Sequence, residues 1–388
     1  MERVALIRCE SYDVDQIEQK LRDGFGLLGG EAFLRRLIPV GSSVLLKPNM
    51  LSIEPPGSLV ITHHAVFEAV VRIIRDYSDR LSFGDSPGFG DSRRAAQKAG
   101  LMKVAERYGV KFEDFKESIH VKCEDALLCK SWDIARAPYE ADVLITLPKL
   151  KTHGLAFMTG AIKNQFGCVP GLQKPAWHTR MTDPENFSQM LLDLNTLLNT
   201  SFAVLDGINA MEGNGPSNGS LYRLNALIVG QGLSAVDSVA ARLIGYSDPL
   251  GVPVLKEAHE SGRGAVLPHE IEVLGESIER LKATHFKLVR GASASSSRMF
   301  QSIAPLLRGA MVPNPALRRE KCIGCRRCAE VCPLKPQVIS FTDQNGKWMP
   351  RWNLDACIRC FCCQELCPEG AIELRYGGIG RLLHCQNP

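Results

Sequence analysis

The residues best placed by type and spacing to do chemistry are two runs of cysteine near the C-terminal end. Cys322, Cys325, Cys328 and Cys332, followed by Pro333, and Cys357, Cys360, Cys363 and Cys367, followed by Pro368, both read C-x2-C-x2-C-x3-C-P. Three thiolates on one tight loop can face three corners of a 4Fe-4S cubane, and where two such clusters share a module the fourth Cys ligates the other one. The spacing therefore predicts two 4Fe-4S clusters, one on Cys322, Cys325, Cys328 and Cys367, its partner on Cys357, Cys360, Cys363 and Cys332. Two other uses of thiols compete. Zinc sites usually pair two C-x2-C arms across a longer gap, and disulfide frameworks belong to small secreted domains. Cys362 does not complete the repeat and is expected to be a buried spare thiol, while Val338 to Phe341 and Ala371 to Leu374 would form paired strands over the clusters.

A second set of reactive types lies in the first half of the chain. In doubly wound sheets ligands bind beyond the carboxyl ends of strands. Directly after strand-like segments come Lys47-Pro48-Asn49, the loop Gly84 to Asp91 with Asp85 and Ser86, Lys149-Leu150-Lys151-Thr152-His153, and a little later Lys163-Asn164. Lys47, Lys149, Lys151 and Lys163 should then converge on one sheet edge, where clustered ammonium groups bind an anion or depress one another's pKa. Lys149, Lys151, His153 and Lys163 are the candidate catalytic residues, and Lys47, Asn49, Asp85, Ser86 and Asn164 the candidates for holding a small carboxylate or phosphate ligand. The competing reading is that loop lysines are solvated.

Other features are equivocal. Gly84 to Asp91 either offers backbone N–H groups to an anion at a helix N-terminus or is a tight turn capped by Asp91 or Ser92. It matches neither a Walker A loop nor G-x-G-x-x-G, so no nicotinamide or flavin site is claimed. Gly213 to Gly219 is equally ambiguous. His153 and His178 sit in polar segments beside the lysines and are candidates for proton transfer. Cys168 is expected to be a buried, inert thiol.

The elements that must position these residues alternate in type. Strand candidates are Val4 to Ile7, Val44 to Leu46, Arg80 to Phe83, Val110 to Phe112, Val143 to Leu147, Ala203 to Leu205, Ala226 to Val229 and Ile271 to Leu274. Helices are expected at Val14 to Phe25, at His63 to Tyr77 behind Thr62 as N-cap, after Asp183 with Pro184 in its first turn, and from Ser234 to Gly245. Short apolar strands alternating with helices predict an α/β fold, a mostly parallel sheet covered by helices.

With 46 Lys and Arg against 42 Asp and Glu, the net charge of +4 is too small to argue for nucleic acid binding. No stretch approaches the roughly 20 apolar residues of a membrane-spanning helix. Because the chain opens directly in a strand-like segment, a cytoplasmic location is expected. Basic residues crowd the stretch from Lys287 to Arg327, which is either a solvated linker or a docking surface for an acidic electron-carrier protein. A flexible GASASSS segment sets the organisation: an α/β substrate-binding domain over residues 1–285, a linker over 286–318, and a cluster-binding domain with its tail over 319–388.

The succession of KPN, GDSPG, LPKLKTH, IKN and DG segments before the cysteine runs resembles the domain of unknown function family numbered 362, in its iron-sulfur branch. The resemblance covers nearly the whole chain, with PKLKTH and IKN its most specific part. It implies an α/β domain of unassigned activity fused to a two-cluster bacterial ferredoxin-like domain, as found in anaerobic bacteria and archaea. The leading expectation is an iron-sulfur oxidoreductase that relays electrons through two 4Fe-4S clusters to an anionic ligand. An electron-transfer subunit with a non-catalytic binding domain, and a lyase or isomerase with structural clusters, remain open beside it.

Overall fold

The computed structural model describes residues 1–388 except Phe89, Leu172, Thr182, 290–313, Asn345, 376–388 and the side chains of Pro175, His178 and Thr179. His178, a candidate for proton transfer, therefore has its side chain outside the described residues, as does the centre of the expected linker with Arg290, Arg298 and Arg308.

Val44–Pro48 (β2) and Val143–Leu147 (β7) are buried at every residue, as strands covered on both faces must be. They pair in parallel at the middle of the main sheet, together with Glu2–Arg8 (β1), Leu81–Gly84 (β3), Lys111–Glu113 (β4), Thr200–Glu212 (β10), Ser220–Gly230 (β11) and Ile271–Gly275 (β12). The strand order is β12-β1-β11-β10-β7-β2-β3-β4. Along this order pairing is parallel except where β11 runs antiparallel to both β1 and β10, so the sheet is mostly parallel. Successive side chains of a strand point to opposite faces. Val4, Leu6, Leu45 and Leu144 accordingly enter one core, with the helices Pro184–Leu198 and Leu233–Ile244. Ala5, Ile7, Val44, Leu46 and Ile145 enter the other, with Val14–Leu28 and His64–Arg75. A small hairpin, Ser118–Lys122 (β5) with Ser131–Ala135 (β6), stands apart from this sheet.

Most helix ends follow the sequence. Asp183 accepts from the Asn186 N–H ahead of Pro184, Asp91 accepts from the Arg94 N–H, and Gly245 closes its helix at φ 114°. Thr62 is an exception. The cap of the helix His64–Arg75 is His63, whose ring accepts from the Ala65 N–H, because Thr62 is wholly buried between strand ends and serves them. Its hydroxyl donates to the Leu147 carbonyl and accepts from the Asn49 N–H.

Lys149–His153 is not a loop but a strand (β8), buried throughout, which pairs with the far half of β10 and with Phe157–Thr159 (β9). The cysteine-bearing module is built from Asn314–Leu317 (β13) paired with Ile372–Arg375 (β16), and from the hairpin Ile339–Gln344 (β14) with Lys347–Trp352 (β15). The two apolar stretches expected to pair with each other thus pair elsewhere. Gly346, at φ 79° with its N–H donating to Asp343, turns β14 directly onto β15, which leaves β16 for β13. Residues 314–317, expected in the linker, belong to this module, whereas Lys287 at the other end hydrogen-bonds to Gly213 of the α/β domain.

Candidate functional site

The period of two along β8 puts Lys149, Lys151 and His153 on one side of the strand. Lys47 arrives from the end of β2, and Lys163 and Asn164 from the short helix Ala161–Asn164. Lys47, Lys149 and Lys151 are at most 1% exposed, so the solvated reading does not hold for them. Lys47 Nζ donates to Asp85 Oδ1 at 2.7 Å, and Asp85 Oδ2 accepts from the Met50 N–H. Gly167 has to be glycine here, since a Cβ would lie 1.9 Å from Asp85 Oδ1 and 2.6 Å from Lys47 Nζ. Lys149 Nζ donates to Asp206 Oδ2 at 2.9 Å and to the Tyr12 hydroxyl at 2.8 Å, while that hydroxyl donates to Asp206 Oδ1.

Lys151 is placed differently. Its Nζ donates to Asn49 Oδ1 at 3.1 Å and to the Val60 carbonyl at 2.6 Å, both neutral. Burial, aided by Lys163 and Lys149, pulls its pKa from the usual 10.5 down to about 7. Asn49 Nδ2 donates onward to Asn164 Oδ1, and Asn164 Nδ2 to Thr146 Oγ1 and the Lys47 carbonyl, so the two asparagines join the lysines through amides. The Lys163 carbonyl accepts from the Gln165 N–H, but among the described residues its ammonium makes no hydrogen bond or ion pair. Part of the residue reaches the surface, but its ammonium end lies 5.9 Å and 5.8 Å from the Phe166 and Phe187 ring centres, and burial is the largest influence lowering its pKa.

The remaining candidates are structural in their contacts. His153 Nδ1 accepts from the N–H groups of Leu155 and Ala156, which leaves the proton on Nε2, facing Glu365 Oε1 at 2.9 Å off the ideal axis. Burial first, then Lys163, lowers its pKa to about 4, so the ring is neutral and both nitrogens are engaged; it does not stand ready to exchange a proton with a ligand. The Ser86 N–H donates to the Gly167 carbonyl and the Gly88 N–H to the Leu51 carbonyl, so those amides of the Gly84 to Asp91 loop are not offered to an anion. The Ser86 hydroxyl accepts from the Gly171 N–H. Cys168 is wholly buried with its pKa pushed up to about 12 by that burial, an inert thiol as expected.

Sequence reasoning missed three supports of this region. Lys174, buried and pulled down to about 7 by that burial, donates to the Ser86 carbonyl. Asp237 accepts from the Ala161 and Ile162 N–H groups and so anchors the short helix that carries Lys163; a Cβ on Gly160 would lie 2.1 Å from its Oδ1. Burial pushes Asp237 up to about 7. Its signal was legible as a lone carboxylate within the apolar stretch Ala235 to Leu243. Tyr12 carried no such signal.

The cysteines ring two cavities. One is lined by Cys322, Cys325, Cys328 and Cys367, the other by Cys332, Cys357, Cys360 and Cys363, the crossed sets expected from the spacing. Among the described residues no three His, Cys, Asp or Glu groups close on a single point; the thiols are spread round cavity walls, as a polynuclear core requires. The residues therefore fit iron-sulfur clusters. Cys362 lines neither cavity and is buried.

The module is seated on the lysine region by the short helix Cys362–Glu365, which carries Cys363 of the second run. Gln364, wholly buried, donates to Asn214 Oδ1 at 2.9 Å, and its carbonyl accepts from Asn218 Nδ2. Glu365 meets His153, and Cys362 and Glu365 both act electrostatically on Lys163. The ambiguous Gly213 to Gly219 segment is thus a landing for the module.

The family model described as a domain of unknown function (DUF362) matches residues 44–242, and one described as a 4Fe-4S dicluster domain matches residues 321–371. A thylakoid-associated protein of Synechocystis sp. is 32% identical over 260 residues, 67% of this chain and 79% of that protein. An uncharacterized ferredoxin of Methanocaldococcus jannaschii is 44% identical over 57 residues, 15% of this chain and 71% of that one. Among solved structures, the lactate racemase apoprotein of Thermoanaerobacterium thermosaccharolyticum superposes with a TM-score of 0.39 at 13% identity, covering 59% of this chain and 54% of that one. A structural-genomics protein of Thermotoga maritima gives 0.37 at 12% identity, covering 58% and 57%. The chain spans little more than half of each of these two solved proteins. Among the described residues no helix is long and apolar enough to cross a membrane.

Proposed function

Since the chain belongs to the DUF362 family and carries a 4Fe-4S dicluster domain, we propose that it is an electron-transfer protein with two 4Fe-4S clusters that passes single electrons to an anionic carboxylate or phosphate ligand at Lys151 and Lys163. The observation that carries this reading is the seat of the helix Cys362–Glu365, which puts the second run of cysteines against the lysine region. When bound, the clusters supply and accept electrons one at a time. Cys322, Cys325, Cys328 and Cys367 would hold one, and Cys332, Cys357, Cys360 and Cys363 the other.

The chain's own residues define the rest. Lys47 and Lys149 have carboxylate partners, and Lys151 has none. A buried cation without a counter-charge is costly, and an anion between Lys151 and Lys163 would supply that charge. Asn49 and Asn164 hold the lysine stems in register, Asp237 holds the helix of Lys163, and His153 ties β8 to the module.

The test is a redox titration of anaerobically purified, iron-loaded protein with and without inorganic phosphate or acetate. The expected result is an anion-dependent shift of one midpoint potential that is absent in Lys151→Ala. Potentials indifferent to either anion, with no heat of binding, would sink the ligand and leave a second reading. That reading is an electron-transfer subunit whose α/β domain only binds a partner, and it is favoured by the closure of Lys47, Lys149 and Lys151 from solvent.

A further inference from the structure

The two cysteine cavities differ in what covers them. At the second, Cys360 and Cys363 are buried and Cys332 and Cys357 half-buried, Phe361 in its lining is 4% exposed, and the following helix is pinned to the α/β domain through Gln364. At the first, Cys325 is exposed and Cys322 half-buried, and beside them stand Ile323 at 57% and Trp348 at 42% exposure. Large apolar side chains that remain this exposed in a group mark an interaction surface more often than chance. Trp348 is also held in place, since the Arg326 guanidinium lies 4.4 Å from its ring centre and 5.6 Å from that of Phe341. Trp and Arg are among the residue types enriched at the energetic centre of protein interfaces.

The rim of this patch is cationic. Arg319, Lys321, Arg326 and Lys347 are all exposed, against the exposed carboxylates Glu320, Glu369 and Asp343, the last opposite Trp348 on the paired strand. Arg318 and Arg375 share Glu373. The cluster thiolates bring negative charge to the cavity itself, and the rim turns its outward face positive.

We infer that this face, formed by Ile323, Cys325, Arg326 and Trp348 and ringed by Arg319, Lys321 and Lys347, is the docking surface for an acidic one-electron carrier protein. Complementary charge speeds encounter and fixes orientation, while the apolar centre lets the partner approach the exposed cysteine edge closely. The exchange moves one electron: the carrier is oxidised by one and this protein reduced by one, or the reverse, with no bond made or broken. A second buried edge facing the lysines then makes the module directional, outer cavity to solvent partner and inner cavity to the α/β domain. The inference rests on the cluster-binding reading of the cysteines and is independent of the anion site, so failure of phosphate or acetate to bind leaves it standing.

The experiment is calorimetric titration of iron-loaded full-length protein with a redox-inert, gallium-substituted plant-type ferredoxin, an acidic carrier, after iron content has been verified for each variant. Lys321→Glu and Arg326→Glu are each expected to weaken binding at least tenfold, and Lys20→Glu, an equal charge change on the far helix Val14–Leu28, to leave it within twofold. For the unsubstituted protein, raising ionic strength from about 0.02 M to about 0.2 M should also weaken binding at least tenfold, as screening of exposed charge requires; this arm stands if a variant loses iron. Absence of binding, equal sensitivity to all three reversals, no salt dependence, or equally tight binding of a DNA duplex would each overturn the assignment.

Discussion

Lys47 and Lys149 meet carboxylates, Asp85 at 2.7 Å and Asp206 at 2.9 Å, whereas Lys151 meets an amide oxygen and a backbone carbonyl and Lys163 lies over aromatic rings. Three come from strands of one sheet and Lys163 from the short helix beside them, and the three on strands are equally closed to water. The difference is therefore not burial but compensation. A lysine with its carboxylate is a neutral unit that braces strands, and for it the low dielectric strengthens the attraction. Lys151, without one, keeps its desolvation cost unrelieved and its pKa falls to about 7; burial lowers Lys149 and Lys163 as well, opposed by Asp206 at the first and by Glu365 at the second. Four lysines that look alike in sequence are two braces and two sites of unmet charge.

The comparison can be broken at its strongest point first. Asp206→Asn would strand Lys149 as a buried cation and disturb the Tyr12 hydroxyl that bridges them, and breaking a buried pair in this way costs about 3–5 kcal/mol. Denaturant unfolding measures it; a loss below about 1 kcal/mol would place Lys149 with Lys151 instead. Lys151→Met is the converse case. It should weaken phosphate binding by about 1.5–3 kcal/mol, the range for hydrogen bonds to charged groups, while stability at pH 7 does not fall, because methionine buries no charge, and iron content is unchanged. If unfolding shows Lys151→Met to be as costly as Asp206→Asn, the distinction between the pairs is lost.

A pH series sharpens the same contrast. Lys151 binds its proton less tightly folded, at about 7, than its ordinary 10.5, so between these values the unfolded chain holds more protons and stability must rise with pH. Below about 7 both states are protonated and the cost is present in full. The stability of the unsubstituted protein minus that of Lys151→Met should therefore climb by up to about 1.4 kcal/mol per pH unit across that window. Saturating phosphate should flatten the climb, and a flat difference without phosphate would mean that Lys151 is compensated by a group in reach. The smallest effect is expected at the seat of the module. Gln364→Ala removes the bond to Asn214 and should cost about 0.5–1.5 kcal/mol, read as faster hydrogen exchange in Asn314–Leu317 and Ile372–Arg375 without loss of iron.

How much of this was legible depends on how local the governing contacts are. The central strands and the caps at Asp183 and Gly245 follow from patterns a few residues long. The segment Lys149 to His153 was readable too, since K-L-K-T-H alternates as a strand does, but charged residues on a buried face run against the usual pattern and it passes for a loop. The reversal of β11 and the exchange of partners among β13, β14, β15 and β16 carry no local mark, because strand pairing is settled by which neighbour remains unpaired after the turns have closed.

By itself the sequence predicted which thiols would line the same cavity, because a spacing of two or three residues on a tight loop can be adopted in only a few ways. It determined too that lysines would gather at one sheet edge, since strand ends of a parallel sheet share a side. Which of them would be neutralised was decided only by the tertiary structure. Asp85 lies 38 residues from Lys47 and Asp206 lies 57 from Lys149, and Glu365 reaches His153 from another domain altogether. A charge is compensated by whatever stands within a few ångströms of it, and over such separations the fold alone sets that distance.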